Sequence, residues 1–184
     1  DDAAAVETMS RAMGSPFEVT GAAHDPARGQ TYLRLEGFEQ SVSYRIERLR
    51  DLLAQPDLEA LKHDDSATFW RNWRDVAPLA DTTGDIWRVS CKPSDAPALA
   101  VKAEAEAHLF DWAGGLIWLR TTPGTDLRAK LGTFDGHATL IRADSETTTR
   151  LGRFHPEPSG VARLSAGLRA RFDPRGILNA GLMG

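Results

Sequence analysis

Strand-like and helix-like segments follow one another in a mixed order along the 184 residues, and this order limits the fold more than any other feature. Two pairs of strand-like segments are joined directly, within residues 17–37 and 108–121, whereas single helices separate the other strands. Short turns between strands favour antiparallel pairing, and single crossovers place helices against the sheet. The pattern therefore predicts an α+β domain. It has a mainly antiparallel sheet with helices on one face, in a ferredoxin-like arrangement that is single or doubled.

Hydrophobic periodicity predicts where each segment begins and ends. The strand-like segments are residues 17–23, 30–37, 57–62, 85–91, 108–112, 116–121 and 137–143. The helical segments are residues 3–13, 38–53, 64–77, 124–134 and 159–172, with one more after Ser94. The apolar stripe of the helix at 38–53 is expected to lie on the sheet, and Pro56 is expected to end that helix. The polar stretch 144–152 is expected to form a loop.

Composition excludes several classes of function. A net charge of -4 and a pI of about 5.7 leave no basic field that would attract nucleic acid. No apolar stretch approaches the ~20 residues that a membrane helix needs. The single cysteine, Cys91, fits a reducing, cytoplasmic location, and its apolar surroundings predict a packed thiol rather than a nucleophile. Because the chain begins with Asp1 and no Met, we expect a processed product or a fragment of a longer protein.

Familiar catalytic motifs are missing from the sequence. It contains no dinucleotide-binding glycine-rich loop, no phosphate-binding Walker loop, no nucleophile elbow and no C-x-x-C pair. The histidines lack the spacing of metal ligands and are interpreted as surface or core residues. They are His24, His63, His108, His137 and His155. We therefore expect no metal site, and the catalytic residues are unknown at this level.

The most specific segment is the C-terminal one, at residues 171–183. Physically it stops a helix, because Pro174 disfavours the helical conformation at Asp173 and Gly176 tolerates a positive φ. Ile177 and Leu178 are then expected to dock back on the fold. On this interpretation the segment is an anchor that pins the last helix.

The same segment resembles the F-D-P-x-G-I-L-N-P-G-[RK]-M ending of FAD-linked oxidases of the vanillyl-alcohol oxidase type. Ala180 and Leu182 replace the usual proline and the usual basic residue. Further segments resemble one branch of that family, the FAD-binding E subunits of bacterial glycolate oxidases. These are residues 19–24, 33–37, 73–76, 86–90, 111–118, 136–140 and 154–156.

The resemblance covers nearly the whole chain and implies how its domains are organised. Residues 1–184 would form a single C-terminal cap domain, and the N-terminal FAD domain of the parent protein has no counterpart in this sequence. FAD is thus the implied cofactor of the full-length parent, and we expect this chain not to retain it. The isolated chain is expected to show no turnover.

The resemblance also suggests roles for individual residues. In the family the cap covers the isoalloxazine ring and the tail returns to the flavin domain, so Asn179 is the candidate flavin contact; a turn-stabilising Asn is the equal alternative. Arg88 is the candidate for binding a substrate carboxylate, since a guanidinium forms two parallel hydrogen bonds with it. The favoured alternative for Arg88 is a structural ion pair with an internal Asp or Glu. His137 and His155 are candidate substrate-binding proton acceptors because imidazole titrates near neutral pH, although their spacing does not support the role.

The implied function is that of a cap and substrate domain in an FAD-dependent oxidoreductase. The enzyme would oxidise glycolate or a related 2-hydroxy acid, with this chain as part of a glycolate oxidase subunit. Implied partners are the missing N-terminal FAD domain, the flavin D subunit and an iron–sulfur subunit, and an apolar patch left exposed would allow self-association. One alternative is a non-catalytic assembly module within a multi-subunit flavin oxidase. Another is a small-ligand-binding α+β domain unrelated to flavin.

Overall fold

The computed structural model describes residues 1–54 and 58–179, and these residues form the predicted α+β fold. The strands are β1 (Gly21–Asp25), β2 (Gln30–Arg34), β3 (Asp85–Cys91), β4 (Ala107–Asp111), β5 (Leu116–Thr121) and β6 (Gly136–Arg142). The α-helices are α1 (Asp2–Met13), α2 (Glu39–Leu53), α3 (His63–Arg74), α4 (Ala77–Ala80), α5 (Ala96–Ala103), α6 (Leu127–Leu131), α7 (Ser145–Leu151) and α8 (Ser159–Phe172). Pro56, Asp57 and the motif residues Gly181 and Met183 lie outside the described residues.

All six strands belong to one antiparallel sheet with the order β2-β1-β4-β5-β3-β6. The run β3-α5-β4-β5-α6-β6 is a ferredoxin-like unit, in which β5 and β3 lie between β4 and β6. The prediction of a ferredoxin-like arrangement is therefore confirmed. The unit is single within the described part of the chain, because the N-terminal residues add the hairpin β1–β2 beside β4 instead of a second unit.

The main core lies between one face of the sheet and the helices α1, α5 and α6. Alternation along the strands sends Trp87, Phe110 and Ile117 to this face, where each is fully buried. Met9 of α1 and Leu127 of α6 cover them from the helical side. Trp87 is thus a residue of the main core.

The second face of the sheet carries a smaller core beneath α3 and α4. Trp73 and Phe69 of α3 and Leu79 of α4 pack on Ile86 and Leu109. Helices therefore lie on both faces, whereas the sequence pattern placed them on one. The physical reason is the aromatic side of α3, which needs apolar cover of its own. Trp73 is buried in this second core, and Trp118 is partly buried against it.

The apolar stripe of α2 packs differently from the prediction. Leu49 and Leu53 are buried in a cluster with Ala12 of α1 and Val19, against which Leu33 of the edge strand β2 packs, and Phe38 at the start of the stripe is 88% exposed. The stripe therefore meets the sheet at β2 and packs otherwise on α1 and the segment before β1, so the expectation that it lies on the sheet holds in part.

Three further segments complete the comparison of prediction and structure. Residues 58–62 contain no strand, so the strand predicted at 57–62 is wrong over its described part. The stretch expected to be a loop contains α7, which begins where the Asp144 carboxylate accepts the N–H of Thr147 at 2.7 Å. Across the described residues, no helix combines the length and apolarity needed to cross a membrane.

Candidate functional site

The second sheet face is uncovered where α3 and α4 end, and polar side chains lie on this part of it. Arg88 and Ser90 of β3 face the same way as Thr139 and His137 of β6, with Arg88 opposite Thr139 and Ser90 opposite His137. Arg88 and His137 are thus diagonal neighbours, whose Cα atoms are typically about 7–8 Å apart. These four residues are called the open face below. The structure therefore brings together two of the residues that the sequence singled out.

Arg88 has no carboxylate partner within residues 1–54 and 58–179. Its one side-chain contact there is with the indole of Trp112, and the guanidinium carbon lies 5.2 Å from the ring centroid. The internal ion pair that was favoured as the alternative role of Arg88 is therefore not formed among the described residues. Its N–H groups are available to a ligand.

The other stacked arginines of the described chain show how unusual this arrangement is. They are Arg34 over Trp70, Arg48 over Tyr44 and Arg128 over Trp87. Arg34 and Arg48 also form ion pairs, at 3.0 and 3.5 Å. Arg128 donates hydrogen bonds to several backbone carbonyls. All four arginines lie over an aromatic ring, but Arg88 differs from the other three because it has no hydrogen-bond acceptor among the described residues.

Trp112 reaches Arg88 from the turn between β4 and β5, which has an uncommon backbone. Trp112 and Ala113 both have left-handed conformations, with φ of 52° and 56°. The Asp111 carboxylate accepts the N–H of Trp112 at 2.8 Å, and the Trp73 side chain approaches it as a second donor. Burial raises the pKa of Asp111, and these hydrogen bonds act against the rise.

An apolar cleft adjoins the open face on the side of Ile86. It has a volume of about 340 Å³ and is lined by mostly apolar residues, with Asp75 and Arg142 as its charged ones. Its apolar walls are Val76, Leu79, Ile86, Trp118 and Ile141. Trp118 pairs directly with Arg88 across β5 and β3, so the cleft and the open face are contiguous.

His155 lies at the outer edge of β6 instead of on the open face. Its Nδ1 accepts the backbone N–H of Ala138 at 3.2 Å, and its ring meets Phe134 edge-on at 5.8 Å. Burial lowers the pKa of His155, and the positive charge of Arg128 adds to the effect. It lines a separate polar cleft of about 390 Å³. His155 is close enough to His137 for the charge of that histidine to lower the pKa of His155 further, but it forms no hydrogen bond or ring contact with Arg88 in the described residues.

Asn179 lies at the end of the described chain, in a left-handed conformation with φ of 50°. The Asp173 carboxylate accepts the N–H groups of Ile177 and Leu178 at 3.0 and 2.8 Å, which turns the chain after α8. Ile177 and Leu178 are 62% and 64% exposed. The expectation that they dock back on the fold is wrong, since Asp173 organises the turn locally and no part of the body covers it.

The apolar side of α8 is also uncovered. This helix has no buried residue, and its stripe of four side chains is exposed. The stripe consists of Val161, Leu164, Leu168 and Phe172. Within the described residues, α8 and the turn after it therefore present a continuous apolar surface, which is called the α8 stripe below.

The remaining groups to place are Cys91 and the residue types that bind metal ions. No group of His, Cys, Asp and Glu residues in the described ranges is arranged to hold a metal ion. The Cys91 thiol faces the Gly114 carbonyl at 3.7 Å, and burial raises the pKa of this thiol to about 11. Cys91 is thus a packed thiol, as predicted.

The sequence did not single out Trp112, Ser90 or Thr139 for the open face. Strand alternation from Arg88 and His137 would have found Ser90 and Thr139. The contact of Trp112 with Arg88 depends on the left-handed turn, and the only local signal for that turn was the Gly114-Gly115 pair that follows it.

Comparison with known proteins identifies one relevant relative. Glycolate oxidase subunit GlcE of Escherichia coli (strain K12) is 31% identical over 154 residues, which are 83% of this chain. The match covers 38% of the length of that subunit. No protein-family profile matches the chain, and no solved structure matches it. Over most of its length the chain is therefore similar to the E subunit of bacterial glycolate oxidase, as its sequence motifs indicated.

Proposed function

We propose that this chain is the cap and substrate domain of an FAD-dependent oxidoreductase that oxidises glycolate or a related 2-hydroxy acid, as part of a glycolate oxidase subunit. The similarity to subunit GlcE supports the family. The domain boundaries that we propose, 1–184 as one C-terminal cap, agree with a single sheet that runs through the described residues.

The observation that carries the proposal is the state of Arg88. A guanidinium that lies over an aromatic ring and has no acceptor among the residues described can form two parallel hydrogen bonds with a carboxylate, the group shared by all 2-hydroxy acids. His137 is its diagonal neighbour and presents an imidazole that can accept the proton of a substrate hydroxyl. Ser90 and Thr139 add hydroxyl groups on either side.

The residues of the open face fit a surface that faces a flavin ring and do not fit a complete FAD site. The cation of Arg88 and the neighbouring ring of Trp112 can cover a planar group, and the four residues of the open face include no glycine-rich loop that would hold its phosphates. Bound FAD would take up the hydride from the substrate carbon that bears the hydroxyl. The role of this chain would be to orient the carboxylate at Arg88 and to shield the site from water.

The α8 stripe is our candidate surface for the FAD domain of the parent protein. An exposed apolar helix face is normally covered by a partner. The match covers 38% of the length of subunit GlcE, so more than half of that subunit lies outside the match, which leaves room for such a domain. Docking of the α8 stripe would also bring Asn179 beside that domain as a flavin contact. Because Ile177 and Leu178 are exposed, the fold itself does not hold the tail in place. The proposed contact of Asn179 with the flavin therefore depends on this docking.

A second candidate function is an assembly module in a multi-subunit flavin oxidase. The α8 stripe supports it, because the same apolar surface could bind a flavin D subunit or an iron–sulfur subunit. The two functions differ at the open face, since an assembly module has no need of a carboxylate site at Arg88.

The test is a titration of the chain with sodium glycolate, followed by two-dimensional NMR. We expect shifts at the amides of Arg88, Ser90, Thr139 and His137, none with neutral glycolamide, and loss of the glycolate response in Arg88→Gln. Arg34→Gln is the matched control, because Arg34 also lies on a strand and over a tryptophan but is paired with Glu36. Glycolate shifts that survive Arg88→Gln, or that are absent from the wild type, would refute the substrate role and favour the assembly module.

A further inference from the structure

We infer that Trp112 is the positioning residue that holds Arg88 in the orientation needed to bind a carboxylate. The inference rests on the proposed function, since it concerns the same site. Its observations are independent of the similarity to known proteins, because they come from the geometry of the turn between β4 and β5.

The turn is built so that the exposed Trp112 ring keeps its place. Left-handed backbone at two consecutive non-glycine residues is costly and persists only where surrounding contacts hold it. One end of the turn is held by the Asp111 carboxylate, which binds the N–H of Trp112 and is approached by Trp73 of α3. At the other end a Cβ on Gly114 would lie 3.1 Å from Val6 of α1, so the backbone there is closely packed.

This arrangement explains why a side chain that is 59% exposed can act as a fixed support. The Arg88 guanidinium lies over the indole with 5.2 Å between its carbon and the ring centroid. A guanidinium that uses one of its faces for an aromatic ring keeps the N–H groups in its plane for other partners. A planar carboxylate can then meet two of these N–H groups side by side.

Without the ring, nothing else in the described residues would orient Arg88. It has no hydrogen-bond acceptor there, so its side chain would sample several rotamers. Binding a carboxylate would then require the side chain to be ordered first, which weakens the affinity. Trp112 thus acts through Arg88, without a need to touch the substrate.

The experiment compares Trp112→Leu and Trp112→Phe in the 184-residue chain, with Phe154→Leu as the control. Phe154 is also an exposed aromatic residue, at 52%, and no arginine of the described residues lies over its ring. Two quantities are measured by NMR: the chemical shift of the Arg88 Nε–H, which the indole ring current displaces, and the Kd for glycolate.

We expect Trp112→Leu to abolish the ring-current displacement at Arg88 and to raise the Kd for glycolate about three-fold or more, from the usual strength of an exposed cation–π contact. Trp112→Phe should restore most of both, whereas Phe154→Leu should change neither. The inference is overturned if Trp112→Leu binds glycolate as the wild type does while Arg88→Gln does not bind it; the proposed function then stands. If the wild type shows no binding that depends on Arg88, both fail together.

Discussion

Arg128 is expected to be the most important single side chain for stability outside the apolar core. Its guanidinium donates to the carbonyls of Ala138 at 2.9 Å, Leu151 at 2.8 Å and Arg153 at 2.5 Å. The same group lies over the Trp87 ring, 5.0 Å from its centroid. It therefore joins α6, the end of α7 and β6, and burial lowers its pKa.

Replacing Arg128 with Met keeps the length of the side chain and removes all of these contacts. A hydrogen bond from a charged donor contributes roughly 1.5–3 kcal/mol, and about 1 kcal/mol is counted for each of three, because these hydrogen bonds are only partly buried. The cation–π contact adds about 0.5–1 kcal/mol. The expected loss is roughly 4 kcal/mol, a large part of the ~5–15 kcal/mol typical of a domain. For this chain length it corresponds to a fall in Tm of about 8–16 °C.

Urea unfolding followed by tryptophan fluorescence measures this loss, and an unchanged m value would show that the wild type and Arg128→Met expose similar surface areas on unfolding. Lys130→Met is the matched control: it removes a neighbouring cation, whose 2.8 Å ion pair with Glu104 is exposed and contributes little. If Arg128→Met loses no more stability than Lys130→Met, the carbonyl contacts do not stabilise the fold and the reasoning is wrong.

Three further predictions follow from burial and exposure. Burial lowers the pKa of both His24 and His155, so the unfolded chain binds protons more readily; the free energy of unfolding should fall as pH drops below about 6.5, and equal urea midpoints at pH 7.5 and pH 5 (roughly one unit on either side) would contradict this. Deleting residues 159–184 should leave the Tm within about 2 °C and abolish any self-association seen in sedimentation, because α8 has no buried residue, and a large fall in Tm would speak against it. The Cys91 thiol, with its pKa raised to about 11, should react with iodoacetamide far more slowly in the folded chain than in the chain unfolded by urea. Similar reaction rates in the two states would disprove the packing argument.

Local sequence patterns predicted the elements best where the pattern and the environment agree. The bounds of β3 and α8 match the predicted segments, because a strand rich in bulky apolar residues and an i, i+3, i+7 stripe are strong signals on their own. The helix α7 was missed because its polar sequence has no stripe, and it begins at a side-chain cap that the pattern does not weigh.

The candidate site could be predicted only in part. Arg88 and His137 were found from residue type and from the resemblance, and strand pairing then placed them on one face. His155 looked equivalent to His137 in the sequence, yet its Nδ1 is taken by the N–H of Ala138 at the edge of the sheet. His155 meets the backbone of Ala138 because the segment after α7 returns along β6, and the spacing of residues in the sequence does not reveal this return.

By itself, the sequence determined the fold class, most of the strand and helix order and the similarity to a glycolate oxidase subunit, since all three depend on local periodicity or on motifs. Only the tertiary structure decided that α2 packs on α1, that α3 covers part of the second sheet face, and that Arg88 contacts Trp112 instead of a carboxylate among the described residues. The physical reason is that these contacts join segments far apart in the chain. Competition between helices for the same apolar surface decides which of them form.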